Sequence, residues 1–141
     1  MRFLSVFVVA ASAIVSTLSQ TIELGYPTDG AVLKVEQNFN AQVILPYSMA
    51  SCIDVGIALA LNSCTNGVCP QPAQELGSVL YAGPWNPTIL KPGVGFYQNF
   101  TLQLSEYQPI GQAIFTLTHF CLAGAGPVPY LEYRNASVTI A

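Results

Sequence analysis

The chain has 141 residues, of which 8% are charged, with four Lys and Arg against seven Asp and Glu and a net charge of −3. So few cations cannot neutralise a run of phosphates, which argues against nucleic acid and anionic membrane surfaces as partners. With 52% hydrophobic residues, 11 Gly and 10 Pro, the surface has to be solvated by amides, hydroxyls and attached sugar rather than by charge.

Residues 1–19 begin with the basic Met1-Arg2, run apolar through residues 3–15, and carry small residues at Thr17 and Ser19, three and one positions before a signal-peptidase cut. The expectation is a signal peptide over 1–19 and a mature start at Gln20. The apolar run is too short for a membrane helix, and the C-terminal residues lack the apolar tail of a lipid anchor, so no membrane insertion is expected and the protein is read as secreted and extracellular. Once 19 of the 141 residues are removed, 122 remain, and 20–141 reads as one domain with one core.

From there the chain reads as strand and turn, with nothing at helical period. A short strand over 21–24 stops at Gly25 and Pro27, Thr28-Asp29-Gly30 turns, and 31–36 resumes as an edge strand after the proline kink. Over 38–45 the alternation is clear: Phe39, Ala41, Val43 and Leu45 on one face, Asn38, Asn40, Gln42 and Ile44 on the other. Over 52–62, Ile53, Val55, Ile57, Leu59 and Leu61 share one face, opposite Asp54, Gly56, Ala58 and Ala60. Ala and Leu would suit a helix, but β-branched residues at a period of two favour a strand.

Residues 76–82 form another strand, ended by the rigid Gly83-Pro84-Trp85-Asn86-Pro87 loop. Lys91-Pro92-Gly93 turns into 95–104, where Phe96, Phe100, Leu102 and Leu104 share a parity opposite Asn99, Thr101 and Gln103. Residues 111–126 hold a long strand with the single histidine, His119, and the last cysteine, before breaking into glycine. Residues 130–140 close the chain, with Ala136, Val138 and Ile140 inward and Asn135, Ser137 and Thr139 outward. An all-β, immunoglobulin- or fibronectin-like antiparallel β-sandwich of about seven strands is the expected fold.

Four cysteines in a secreted chain argue for disulfides, with three connectivities open. Cys64 and Cys69 flank a turn-forming Asn66-Gly67, so a local bridge needs little chain travel, which leaves Cys52 with Cys121. In such a sandwich the strands over 52–62 and 111–121 are antiparallel neighbours, which sets Cys52 beside Cys121. Yet Cys52 has outward parity on its own strand while Cys121 shares that of Phe115 and Leu117. A bulge near His119 or Cys52 would reconcile the two. One histidine and no CxxC pair make a metal site an unsuitable alternative, and no cofactor motif is present.

The sequons Asn99-Phe100-Thr101 and Asn135-Ala136-Ser137 both place Asn outward, so Asn99 and Asn135 are expected to carry glycans. No nucleophile elbow surrounds any serine, His119 has no sequence-adjacent partner, and the seven carboxylates show no spacing signal, so no enzyme is expected. A lone strand histidine most simply caps a neighbouring carbonyl. Tyr81, Trp85, Tyr97, Tyr107, Tyr130 and Tyr133 are enough for a sugar-stacking platform, although such residues more often pair across strands or fill a core. Loops at the ends of a sandwich are the usual binding surfaces. Trp85, with Val128 and Tyr130 near the Gly126-Pro127-Val128-Pro129 loop, is therefore the candidate interaction group; the alternative for Trp85 is packing over the open end of the core.

The Pro27-Xaa-Xaa-Gly30 turn, the Gly77-Xaa-Xaa-Leu80-Tyr81-Xaa-Gly83-Pro84 segment, Tyr97-Gln98-Asn99-Phe100-Thr101, and the 111–126 block followed by Pro129, Leu131, Asn135 and Val138 resemble the fungal necrosis-inducing secreted proteins, the Nis-type effectors. The resemblance covers nearly the whole mature chain. It implies an immunoglobulin-like sandwich and a non-enzymatic effector, with host cell death or suppressed plant immunity as the outcome and plant receptor-like kinases as partners. The Cys64–Cys69 turn lies outside it, and no kinase-binding motif is matched residue by residue. The alternative reading is an extracellular cell-wall or glycan-binding module.

Overall fold

A computed structural model describes residues 22–47, 52–92 and 95–141. The expected signal segment 1–19, the start at Gln20 and Gly93 of the expected turn lie outside them. The described residues form strands β1 (Glu23–Tyr26), β2 (Ala31–Leu33), β3 (Asn38–Pro46), β4 (Cys52–Ser63), β5 (Ser78–Gly83), β6 (Thr88–Lys91), β7 (Gly95–Gln103), β8 (Gly111–Ala123) and β9 (Val128–Ile140). They make a four-stranded sheet in the order β1-β3-β7-β6 and a five-stranded sheet in the order β2-β9-β8-β4-β5.

The alternation in β3, β7 and β9 dictates which side of each sheet is dry. Ala41 and Val43 from β3, and Phe100 and Leu102 from β7, meet Leu59 and Leu61 of β4, Phe115 and Leu117 of β8, and Val138 and Ile140 of β9. Each fully buried aliphatic or aromatic side chain contributes roughly 1.5–3 kcal/mol of transfer free energy, so this one core dominates the stability. Phe39 reaches across the gap to set its ring edge-on to Phe115, with centroids 6.1 Å apart.

Several details depart from the sequence reading. Nine strands are present among the described residues rather than about seven, because the residues after Pro87 pair with β7 as β6. β1 and β2 are not one kinked edge strand: they lie in different sheets, and β2 runs parallel to β9, so the fold is not wholly antiparallel. The crossing between sheets is pinned by Asp29, whose Oδ1 accepts the Ser137 amide proton at 2.9 Å, and by the Gly30 amide, which donates to Ser137 O at 2.7 Å.

The central correction is in β4. Asp54 pairs with Cys121 and Gly56 with Phe120, leaving Val55 as an extra residue. An extra residue reverses the facing of everything before it. Ile53 and Val55 therefore point outward, 62% and 49% exposed, while Ile57, Leu59 and Leu61 stay in the core. Cys52 swings to the inner side, where it is bonded to Cys121; a second bridge joins Cys64 to Cys69.

Candidate functional site

The same bulge turns Asp54 toward the middle of the five-stranded sheet. Directly across β8 from β4 stands His119, and across the β8–β9 hairpin its register partner is Glu132. The three side chains meet: His119 Nε2 lies 2.7 Å from Asp54 Oδ1 and Nδ1 lies 2.9 Å from Glu132 Oε1. His119 is fully buried and Glu132 nearly so. Glu132 Oε1 also accepts the Ile22 amide proton at 3.3 Å, and Glu132 Oε2 faces Arg134 Nη2 at 3.5 Å, an ion pair longer than a hydrogen bond.

Carboxylates accept and do not donate, so an imidazole bonded to one on each nitrogen is satisfied only when both nitrogens carry protons. Burial is the largest single influence on His119 and lowers its pKa. The hydrogen bonds to Asp54 and then Glu132, with the attraction of the same two carboxylates, together outweigh it, so the pKa is raised. The buried pair is His119 and Glu132, with the more exposed Asp54 and Arg134 at its two sides. Both ring nitrogens are committed, which leaves none to take a proton from a nucleophile. The arrangement ties β4, β8, β9 and the start of β1 together, and does not correspond to a catalytic triad.

Trp85 belongs to this buried cluster. It is 5% exposed, so the expectation of an exposed aromatic anchor is corrected. Its ring stands edge-on to His119, with centroids 5.9 Å apart. The loop that carries it crosses from β5 in one sheet to β6 in the other, and is held by Tyr81 Oη donating to Pro84 O and by the Asn86 amide donating to Gln98 Oε1 at 2.7 Å. A ring at the end of the sandwich, between two sheets, fills the open end of the core.

Of the other expected interaction residues, Val128 is exposed and Tyr130 half-buried at the hairpin end of β9. Asn99 and Asn135 are both exposed, on different sheets. Tyr81, Tyr97, Tyr130 and Tyr133 are half-buried, whereas Tyr107 is largely exposed.

What the sequence reading missed is the outer face of the five-stranded sheet. Ile53, Leu122 and Pro129 form one cross-strand row, and Gly56, Phe120 and Leu131 the next, with Val55 bulging between them. Ile53, Val55 and Leu131 are each about half exposed or more. A shallow groove of about 320 Å³ runs along this face between Val55, Gly83, Pro84, Thr118 and Phe120. Thr118 Oγ1 is buried there without a hydrogen-bond partner within the protein. Shifting the parity of β4 by one residue at Val55 reveals the row; the conflicting parities of Cys52 and Cys121 called for a bulge near His119 or Cys52, and the structure has it between Asp54 and Gly56.

The model of the Nis1 family matches residues 11–139, spanning both sheets, the buried His119 cluster and this apolar face. The chain belongs to the Nis1 family. A search of curated proteins finds no match. Membership agrees with the resemblance carried by the turn and strand motifs. The Cys64–Cys69 bridge falls inside the matched residues of this Nis1-family chain.

Proposed function

We propose that this Nis1-family chain is a small secreted, effector-like protein that acts by binding another protein rather than by catalysis. The partner docks on the outer face of the five-stranded sheet at its hairpin end. One observation carries the reading: the exposed Ile53, Val55 and Leu131 and the half-buried Phe120 and Leu122 lie together in two neighbouring rows on the outer face of three strands, with no charged residue among them. Contiguous apolar surface of this kind on a monomer marks a contact site more often than it marks nothing.

Family membership supports the effector-like role. The resemblance adds a fungal source, host cell death or suppressed immunity as the outcome, and plant receptor-like kinases as the partner class. Two disulfides are compatible with an extracellular location. An immunoglobulin-like assignment of the sandwich belongs to the same reading, supported by two packed sheets with the chain crossing between them.

The test is binding to a panel of purified plant receptor-like kinases by biolayer interferometry, with Ile53→Asp and Leu131→Asp as variants. Both side chains are exposed, so folding should be unaffected and the melting temperature unchanged. A charge placed in the centre of an apolar contact should weaken binding by about tenfold or more. Full binding by both variants rules out this face, and no binding by the unmodified protein rules out the partner class.

A further inference from the structure

The Cys64–Cys69 loop takes no part in that face. It lies at the other end of β4, and the stretch from Ile53 to Leu61 separates the two by roughly 26 Å at strand rise. At that end is a cleft of about 490 Å³, within the size range of small-ligand sites. Its walls come from three places: Asn62 and Ser63 at the end of β4, Glu75 and Ser78 where the loop enters β5, and Tyr107 and Gln108 in the turn before β8.

The cleft is held in shape without a ligand. Asn62 Nδ2 donates to Glu75 O at 3.3 Å, and Gln108 Nε2 donates to Ser63 Oγ at 3.0 Å. The Gln108 amide closes its turn onto Ser105 O at 3.0 Å, and the Glu75 amide closes onto Gln71 O at 3.1 Å. Gly77, at φ 77°, lets the loop lie flat on β4: a Cβ there would sit 2.5 Å from Leu61 O. The Cys64–Cys69 bridge fixes the root of the same loop. Little ordering is left to be done on binding.

The chemistry of the walls selects a ligand class. No cation lines the cleft and one carboxylate, Glu75, does, which disfavours anions. With those bonds made, Asn62 Oδ1, Gln108 Oε1 and the Glu75 carboxylate remain as acceptors, and the Ser63 and Ser78 hydroxyls as donors or acceptors. Such a set matches a ligand made of hydroxyls. Beside it the Tyr107 ring is 84% exposed, a flat apolar surface that nothing in the core requires.

We infer that this cleft binds a neutral oligosaccharide, with Tyr107 stacking on a pyranose face and Glu75 and Asn62 accepting hydroxyl protons. The site is separate from the apolar protein-binding face and does not depend on it.

Titration calorimetry of the purified secreted protein with chitohexaose, laminarihexaose and cellohexaose tests the inference. At least one should bind, and Tyr107→Ala should weaken it by about tenfold with an unchanged melting temperature. Glu75→Gln should weaken it several-fold, while Leu131→Asp leaves it untouched. No binding of any of the three at millimolar concentration overturns the inference. So does equal binding by Tyr107→Ala, or tighter binding of a polygalacturonate oligomer than of the neutral sugars.

Discussion

His119 is fully buried with a carboxylate oxygen against each ring nitrogen, and this makes the stability of the molecule respond to pH. The folded state raises its pKa above the ordinary 6.5, so folding holds on to this proton. The stabilisation is fully present below 6.5 and fades as pH rises through the raised value. Asp54, Glu132 and Arg134 are the charged groups facing it. The urea midpoint should therefore fall as pH rises above 6.5, and His119→Gln should be less stable at pH 6 and lose that fall. An equal slope in the variant would assign the pH response to other groups. Trp85, edge-on to the same imidazole, carries a second expectation. Trp85→Ala should destabilise by about 3–5 kcal/mol, measured by chemical denaturation, because the ring fills the end of the core. A change below about 1 kcal/mol would mean the end of the sandwich closes without it.

At the level of elements, alternation in β3, β7 and β9 was legible because each strand is regular from end to end and half-buried. β4 was legible only from Ile57 onward. Its first residues follow the opposite parity, since the extra residue at Val55 re-aims Cys52, Ile53 and Asp54 together; alternation within β4 does not mark the shift, and only the parity conflict between Cys52 and Cys121 pointed to a bulge. The Asp54–His119–Glu132 cluster was hidden for a related reason: Asp54 lies 65 residues from His119 in the chain, and the three side chains meet only once register is known. The β8–β9 hairpin register pairs His119 with Glu132, but the bulge is needed to bring Asp54 in. β6 is four residues behind a proline and pairs with β7 alone, too short and too one-sided to announce itself. Gly56 is where this part of β4 is most exposed to substitution. A Cβ there would lie 2.9 Å from Gly83 O, which is backbone and cannot swing aside. Gly56→Ala should push β5 away from β4 and destabilise by about 1–3 kcal/mol in denaturant titration, a penalty typical of overpacking. A neutral effect would show that β5 yields freely at its end.

Over the whole molecule the two outer faces differ. The four-stranded sheet turns Asn38, Asn40, Asn99, Thr101 and Gln103 to solvent, with Thr101 Oγ1 donating to Asn40 Oδ1 at 2.8 Å, a face suited to water and to a glycan at Asn99. The five-stranded sheet turns its apolar rows outward at the hairpin end, and its sequon asparagine, Asn135, lies four residues along β9 from Leu131, roughly 13 Å away on the same face. A glycan at Asn135 would border the apolar rows and leave them open. Moving the sugar onto them should close them. Leu131→Asn with Tyr133→Thr creates a sequon at the centre of the face and leaves Glu132 and the His119 cluster in place. Expressed in a eukaryotic secretory host, this variant should gain the mass of one glycan, keep its melting temperature within a few degrees, and lose the proposed kinase binding. Asn135→Gln should bind as the unmodified protein does. Retained binding by the fully glycosylated Leu131→Asn, Tyr133→Thr variant would place the partner elsewhere on the molecule, with the exposed Val128 at the hairpin tip as the next surface to block.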